Sequence, residues 1–369
     1  MKTKAAVMWA SSGNFEISEL ELDPPKAGEV LVRYEFAGLC YSDEHLRHGD
    51  LTIDPPMVGG HEGSGVIEEV GPGVTRVAPG DHIVTSWMPY CGRCRFCLMG
   101  KSNLCDNGQY LMQGTMLDGT QRLHGRGMGM GGVDLLGTFS QWNVIPEACC
   151  VKVPNDLPLD TLAICACGVP TGWGSAVYAA ETRPGDVTVV YGIGGIGINA
   201  VQGAAHCGAG VIVAIDPLEF KREMALKLGA THAFADPLEA HEFVWNETRG
   251  QGADAAIVTV GLVEPEVVTN AFSIIRKAGV AVITALANPE TKLLIPSLEL
   301  TLYEKRLVGC LFGSGNPHHD IPKIIALWQR GAIRLDELIT NRYSLDDVNQ
   351  GYDDLLAGVN IRGILDIAH

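Results

Sequence analysis

Cys91, Cys94, Cys97 and Cys105 stand within 15 residues, in the spacing Cys-x2-Cys-x2-Cys-x7-Cys. Four thiolates this close can wrap one tetrahedral cation. Gly92, Arg93, Arg95 and Lys101 are interleaved with them, and the cations offset the surplus negative charge. Such a site is filled by protein and closed to water, so it stabilises a lobe and does no chemistry. Zinc is the first metal this set suits. An iron–sulfur cluster is the rival, and four reduced thiols without metal the plain alternative. Candidates for an open metal site are dispersed: Cys40 in Gly38-Leu39-Cys40-Tyr41-Ser42-Asp43-Glu44-His45, His61 in Gly59-Gly60-His61-Glu62-Gly63, and Cys165 or Cys167 in Cys165-Ala166-Cys167-Gly168-Val169-Pro170-Thr171-Gly172. A catalytic zinc takes three protein ligands and leaves one position open. Taken singly, these residues also read as buried thiols and a loop histidine, and spacing alone does not join them.

A third chemical signature is Gly192-Ile193-Gly194-Gly195-Ile196-Gly197, a G-x-G-x-x-G loop. The apolar run Val187–Tyr191 precedes it, an Ala-rich helix follows, and Asp216 ends the next strand 19 residues after Gly197. In that context the first glycine allows the tight turn, and the second lets a pyrophosphate approach the backbone. The third lets helix and strand pack closely, with the phosphates at the helix N-terminus. An acid at Asp216 suits the two ribose hydroxyls of NAD and repels the extra phosphate of NADP. Lys221, one turn into the following helix, could reach the adenosine ribose or simply be solvated.

The elements that must position these residues fall into two patterns. The first half is β-rich: Lys4–Trp9, Glu29–Phe36 and Gly65–Val70 are apolar, β-branched runs bounded by Gly, Pro and Asp, with a short helix expected over Ser42–His48, capped by Ser42 or Asp43. From about Asp186, strands at Val187–Tyr191, Val211–Asp216, Ala255–Val260, Val280–Leu286 and Leu307–Phe312 alternate with helices, including Phe220–Leu228, Pro265–Lys277 and Asp320–Arg330. That alternation predicts a doubly wound parallel sheet. Leu338–Tyr343 and Arg362–Ile367 could return to the first domain.

With 369 residues, 46% hydrophobic and 19% charged, the chain has material for two ordinary globular cores. A net charge of −16 without basic runs argues against nucleic acid and anionic membrane partners. No apolar run reaches bilayer-spanning length, and the stretch Ala5–Ala10 is too short for a signal core, so a cytoplasmic protein is expected. Eleven cysteines then read as metal ligands or buried thiols rather than disulfides.

The combination resembles the zinc-containing medium-chain alcohol dehydrogenases over essentially the whole chain. The Gly-His-Glu turn, the four-cysteine lobe, the Cys-Gly-Val-x-Thr-Gly segment and the glycine loop follow that family's order. The fold implied is α/β. A GroES-like β-rich catalytic domain would hold residues 1–168 and 313–369, with a zinc lobe at 88–106. A Rossmann domain would hold residues 169–312. Met1–Ala5, Thr171–Tyr178 and Ala357–Gly363 look most like the nitrosodimethylaniline-dependent nicotinoprotein branch, associated with mycofactocin, which holds NAD tightly and regenerates it in place.

The resemblance implies two zinc ions per chain and NAD as cofactor. It makes Cys40, His61 and Cys167 the catalytic zinc ligands and the four-cysteine set the structural one. Cys167, not Cys165, directly precedes Gly-Val-x-Thr-Gly. Glu62 matches an acid close to the metal, Asp43 the carboxylate that fixes the His61 tautomer, Ser42 the hydroxyl that bonds the substrate oxygen, and His45 the outer end of a proton relay. Thr171, Phe312 and the loop residues Gly192, Gly194, Gly195, Ile196 and Gly197 would touch the cofactor, with Asp216 and Lys221 at the ribose and Arg362 at the pyrophosphate. Tyr41 departs from the family's usual basic residue there, which leaves more of the pyrophosphate to Arg362. Trp87 would form an aromatic wall near the metal, with Leu51 and Tyr110 further out, and Met112, Met116, Met128 and Met130 fall in a pocket-flanking loop.

The activity implied is oxidation of primary alcohols and reduction of the matching aldehydes, by a homo-oligomer of two or four chains. Two alternatives stay open. One is a thiol-adduct formaldehyde dehydrogenase, for which Arg122 and Arg126 could hold the conjugate's carboxylates. The other is a non-catalytic nucleotide- and zinc-binding protein.

Overall fold

The computed structural model describes residues 1–51 and 54–368. The chain divides into two compact units: Met1–Cys167 with Asn316–Gln329 and Leu335–His369, and Gly168–Gly315 with Arg330–Arg334.

In the first unit, Lys2–Met8, Glu16–Leu22, Leu123–Gly125, Met128–Gly132 and Met57–Val58 close into a small barrel. A larger sheet runs Cys150–Val153, His82–Thr85, Glu62–Val70, Glu29–Gly38, Arg362–Asp366, Ile339–Ser344, and Trp142–Pro146 also pairs with Glu29–Gly38. The C-terminal strands therefore return to the N-terminal sheet, Ile364 opposite Gly38. Antiparallel pairing of Glu29–Gly38 with Glu62–Val70 sets Gly38 across from Glu62. Val30, Val32, Tyr34, Ala37, Ile67 and Ile83 bury fully beneath these strands. Each of the Val and Ile side chains among them contributes roughly 1.5–3 kcal/mol by leaving water. Met116 and Met130 are core residues of the barrel, whereas Met112 and Met128 are exposed.

In the second unit six parallel strands lie in the order His232–Phe234, Val211–Ile215, Val187–Tyr191, Ala253–Val258, Ile275–Ile283, Arg306–Gly309. The order reverses direction beside the first strand, as in a doubly wound dinucleotide fold, and the loop following that strand is the glycine loop.

The helix expected over Pro265–Lys277 stops at Ile274, because Ile275, Arg276 and Lys277 already belong to the next strand. The Pro317–Gln329 helix starts earlier than expected and contains Pro322 near its N-terminal end. Phe312 lies in a short turn of the second unit. Among the described residues, no single helix is long and apolar enough to cross a membrane.

Candidate functional site

Cys40 sits where the Glu29–Gly38 strand gives way to the Tyr41–His48 helix. It is itself the N-cap residue, with extended backbone and no side-chain capping bond. The expected caps, Ser42 and Asp43, therefore do not cap. Asp43, fully buried, instead accepts from the Gly60 N–H at 3.2 Å and places Oδ2 at 2.9 Å from Nδ1 of His61. Neither of those two atoms has a well-aligned hydrogen bond, so this is an ion-pair contact that orients the ring. It turns the other ring nitrogen towards the thiols, and a carboxylate behind a ligating histidine raises its basicity.

Cys40, His61, Glu62 and Cys167 each present a ligand atom, all within 4.8 Å of one another and all buried. Cys165, buried nearby, is not in the group. Two thiols and an imidazole converging with a carboxylate in a buried place fit zinc, which takes soft sulfur and nitrogen donors. The hydrogen bond from Cys167 holds Cys40 well below the ordinary thiol range, burial opposes this, and His61 and Arg362 add to it. The same contact and burial push Cys167 up. Burial would depress His61, but the charges of Asp43 and Cys40 outweigh it and raise the ring.

Arg362 lies at the start of its strand, 3% exposed, and donates to Glu62, 300 residues away in sequence. A side chain at Gly38 would collide with the Glu62 carboxylate, so glycine makes the room for this pair. In this unit Arg362 is thus committed to Glu62, a contact that nothing in the sequence announced. Ser42 Oγ lies 3.5 Å from Cys40 Sγ. His45 is buried in the same helix, with the Tyr41 ring edge-on at 5.1 Å.

Asp134 went unnoticed in the sequence because its Gly-rich surroundings carry no periodic signal. It adopts a left-handed conformation (φ 53°), and burial pushes its carboxyl up to about 7, His61 pulling the other way. Trp87, Leu51 and Tyr110 are half-buried and pack against the main core of this unit.

The second metal group is Cys91, Cys94, Cys97 and Cys105, also within 4.8 Å. Cys91 and Cys97 are 3.9 Å apart and Cys94 and Cys105 4.0 Å, far beyond disulfide distance. Thiolates at zinc's bond length on a tetrahedron would stand about 3.8 Å apart, so this set fits that ion. Backbone N–H groups of Asp106 and Cys97 overcome burial and bring Cys94 down to about 6.

In the second unit the three glycines divide their work. Gly192 has φ 85°, Gly197 approaches the Gly192 carbonyl too closely for any Cβ, and beside Gly194 there is open space. Asp216 accepts from the Ile193 N–H at 2.8 Å and the Leu218 N–H at 2.9 Å, bracing the loop from the next strand. Arg222, not Lys221, bonds the Asp216 carbonyl, at 2.9 Å. Thr171 Oγ1 is buried without a partner, and Phe312 is buried. An orphaned hydroxyl and an open glycine loop fit a nucleotide cofactor.

The arginines considered for a thiol conjugate are otherwise engaged. Arg122, 2% exposed, is held by Glu29 and Asp118, and Arg126 pairs with Glu16 over the Trp9 ring.

Residues 26–155 match the alcohol dehydrogenase GroES-like domain and residues 195–330 the zinc-binding dehydrogenase domain. The chain is 56% identical to an NDMA-dependent alcohol dehydrogenase from Amycolatopsis methanolica, over 99% of each chain. It is 41% identical to alcohol dehydrogenase B of Mycobacterium tuberculosis, covering 99% of this chain and 98% of that one. The crystal structure of benzyl alcohol dehydrogenase from Acinetobacter calcoaceticus superimposes with a TM-score of 0.92 at 30% identity, covering 100% of both chains. The chain belongs to the zinc-dependent medium-chain alcohol dehydrogenases, built from a GroES-like and a Rossmann domain.

Proposed function

We propose that this chain oxidises primary alcohols with a tightly held NAD that an external acceptor reoxidises in place. The convergence of Cys40, His61 and Cys167 with an oriented, buried Asp43 carries the reading. These three would hold a catalytic zinc, and Cys91, Cys94, Cys97 and Cys105 a structural one. When bound, the zinc supplies a Lewis acid that lowers the pKa of an alcohol oxygen, and NAD supplies the hydride acceptor. The protein's own tasks are local. Asp43 fixes the His61 ring. Glu62, neutralised by Arg362, sets a carboxylate beside the ligands. Ser42 places a hydroxyl beside Cys40, where it can take the alcohol's proton, and His45 is the base at the end of that path.

Asp216 favours NAD over NADP, because a second phosphate would meet its carboxylate. The glycine loop and Thr171 with its free hydroxyl would hold the cofactor, with Phe312 beside it. Tight retention rests on the relative from Amycolatopsis methanolica, whose name makes it dependent on NDMA, and on the segments at 1–5, 171–178 and 357–363. A homo-oligomer is supported by the terminal strand Arg306–Gly309 and the exposed Leu294, Leu298, Leu302 and Tyr303 beside it. Eleven cysteines, none in a disulfide, suit the reducing cytoplasm.

The test is dye bleaching by the purified protein with alcohol and nitrosodimethylaniline but no added nicotinamide. Bleaching supports in-place recycling. Turnover that begins only when NAD is added overturns it in favour of an exchanging dehydrogenase.

A further inference from the structure

His45 does not stand alone at the end of its helix. Its Nδ1 lies 2.8 Å from Oδ2 of Asp50, and Nδ1 of His48 lies 3.1 Å from the other oxygen of the same carboxylate. The local fold makes this arrangement. His45 and His48 are one turn apart on one helix face. Gly49 then ends the helix in the left-handed region (φ 91°), with its N–H on the His45 carbonyl at 3.1 Å. That turn folds Asp50 back against both rings. A residue other than glycine would be strained at 49, and the carboxylate would lose its aim. The three side chains are graded in exposure: 3% for His45, 24% for Asp50, 72% for His48.

We infer that Asp50 is a positioning residue for proton removal: it fixes buried His45 in the Nδ1–H tautomer, so that Nε2 is the base, and His48 ties that carboxylate to solvent. The inference rests on the proposed alcohol oxidation. Proton bookkeeping is simple. The O–H bond of the relay donor breaks, an N–H bond forms at Nε2, and no electrons move. The imidazolium so formed is neutral as a pair with Asp50, which removes most of the cost of a buried charge. Asp50 itself stays anionic, held below the ordinary carboxylate range by the hydrogen bonds from His45 and His48. Other charged groups here are already matched: Arg47 binds Glu44 on the same helix and Asp353 from the Val348–Leu356 helix. The Tyr41 ring packs on His45 and adds no charge.

The experiment uses the intact protein with histidine-selective 15N labelling, the His45 signal being assigned with His45→Gln. The parent should show the Nδ1–H tautomer at His45. Asp50→Leu should lose the Nδ1–H preference of His45, and Asp50→Glu should keep it. His48→Gln should leave the Nδ1–H form in place. In turnover, Asp50→Leu should lower kcat about tenfold with KM little changed. A His45 held as the Nε2–H tautomer in the parent, or an unchanged Nδ1–H preference in Asp50→Leu, overturns the inference. Absence of alcohol turnover in the parent would sink the proposed function instead, and the NMR readout would still decide the role of Asp50.

Discussion

Replacing Arg362 by Met keeps most of its volume but takes the guanidinium away from the Glu62 carboxylate, which is 0% exposed. Removing one member of a buried ion pair typically costs about 3–5 kcal/mol, because the charge left buried loses its opposite. The unit that contains the pair has about 200 residues. For that size each kcal/mol moves the midpoint by roughly 2–4 °C, so Arg362→Met should unfold about 6–20 °C earlier. Adding Glu62→Gln in the same chain removes the remaining charge and should recover more than half of the loss. The assay is thermal unfolding by circular dichroism, with the zinc beside Glu62 chelated out and the cofactor stripped. If Arg362→Met unfolds within about 2–4 °C of the parent while its NAD retention collapses, the arginine serves the cofactor and not Glu62, and the reasoning is refuted.

Two further expectations follow from buried polar contacts. Asp43→Asn keeps the shape but removes the charge behind His61, and should weaken zinc at that site about 10–100-fold in chelator competition; an unchanged affinity would detach Asp43 from the metal. His318, packed against Tyr90 and bonded to the Ala148 carbonyl at 2.9 Å, is pushed by burial and by Arg76 down to about 4, from an ordinary 6.5. Its folded pKa is depressed, so its stabilising effect is complete above pH 6.5 and is lost as pH falls towards 4, roughly 3 kcal/mol in all. His318→Gln should flatten the pH dependence of denaturant unfolding in that window, and an unaltered slope would contradict the assignment.

The parallel sheet was legible because its strands are compact apolar runs separated by helical lengths, and the glycine loop because three glycines each face a different steric demand. The strand His232–Phe234 and the helix Pro237–Glu247 were not read, since the strand has three residues and the helix buries only Ala240 and Val244. Within the candidate site, Cys40, His61 and Cys167 were named by the family resemblance and not by their spacing, and the structure brings them within 4.8 Å. Contacts made by tertiary folding had no local signature. Arg362 finds Glu62 only because the last strand pairs with Glu29–Gly38. Asp216 braces the glycine loop through two backbone N–H groups, a use its motif position does not reveal. The His45–Asp50–His48 cluster is local in sequence, yet it depends on the left-handed turn at Gly49 to aim the carboxylate.

Two zinc sites of unlike role in one chain are tested most directly by metal content. Zinc per chain and alcohol turnover would be measured together in the parent and in Cys167→Ser. Two zinc ions in the parent, and one in a folded but inactive Cys167→Ser, are the predicted result. A Cys167→Ser protein that keeps two zinc ions and oxidises alcohol at the parent rate would contradict it.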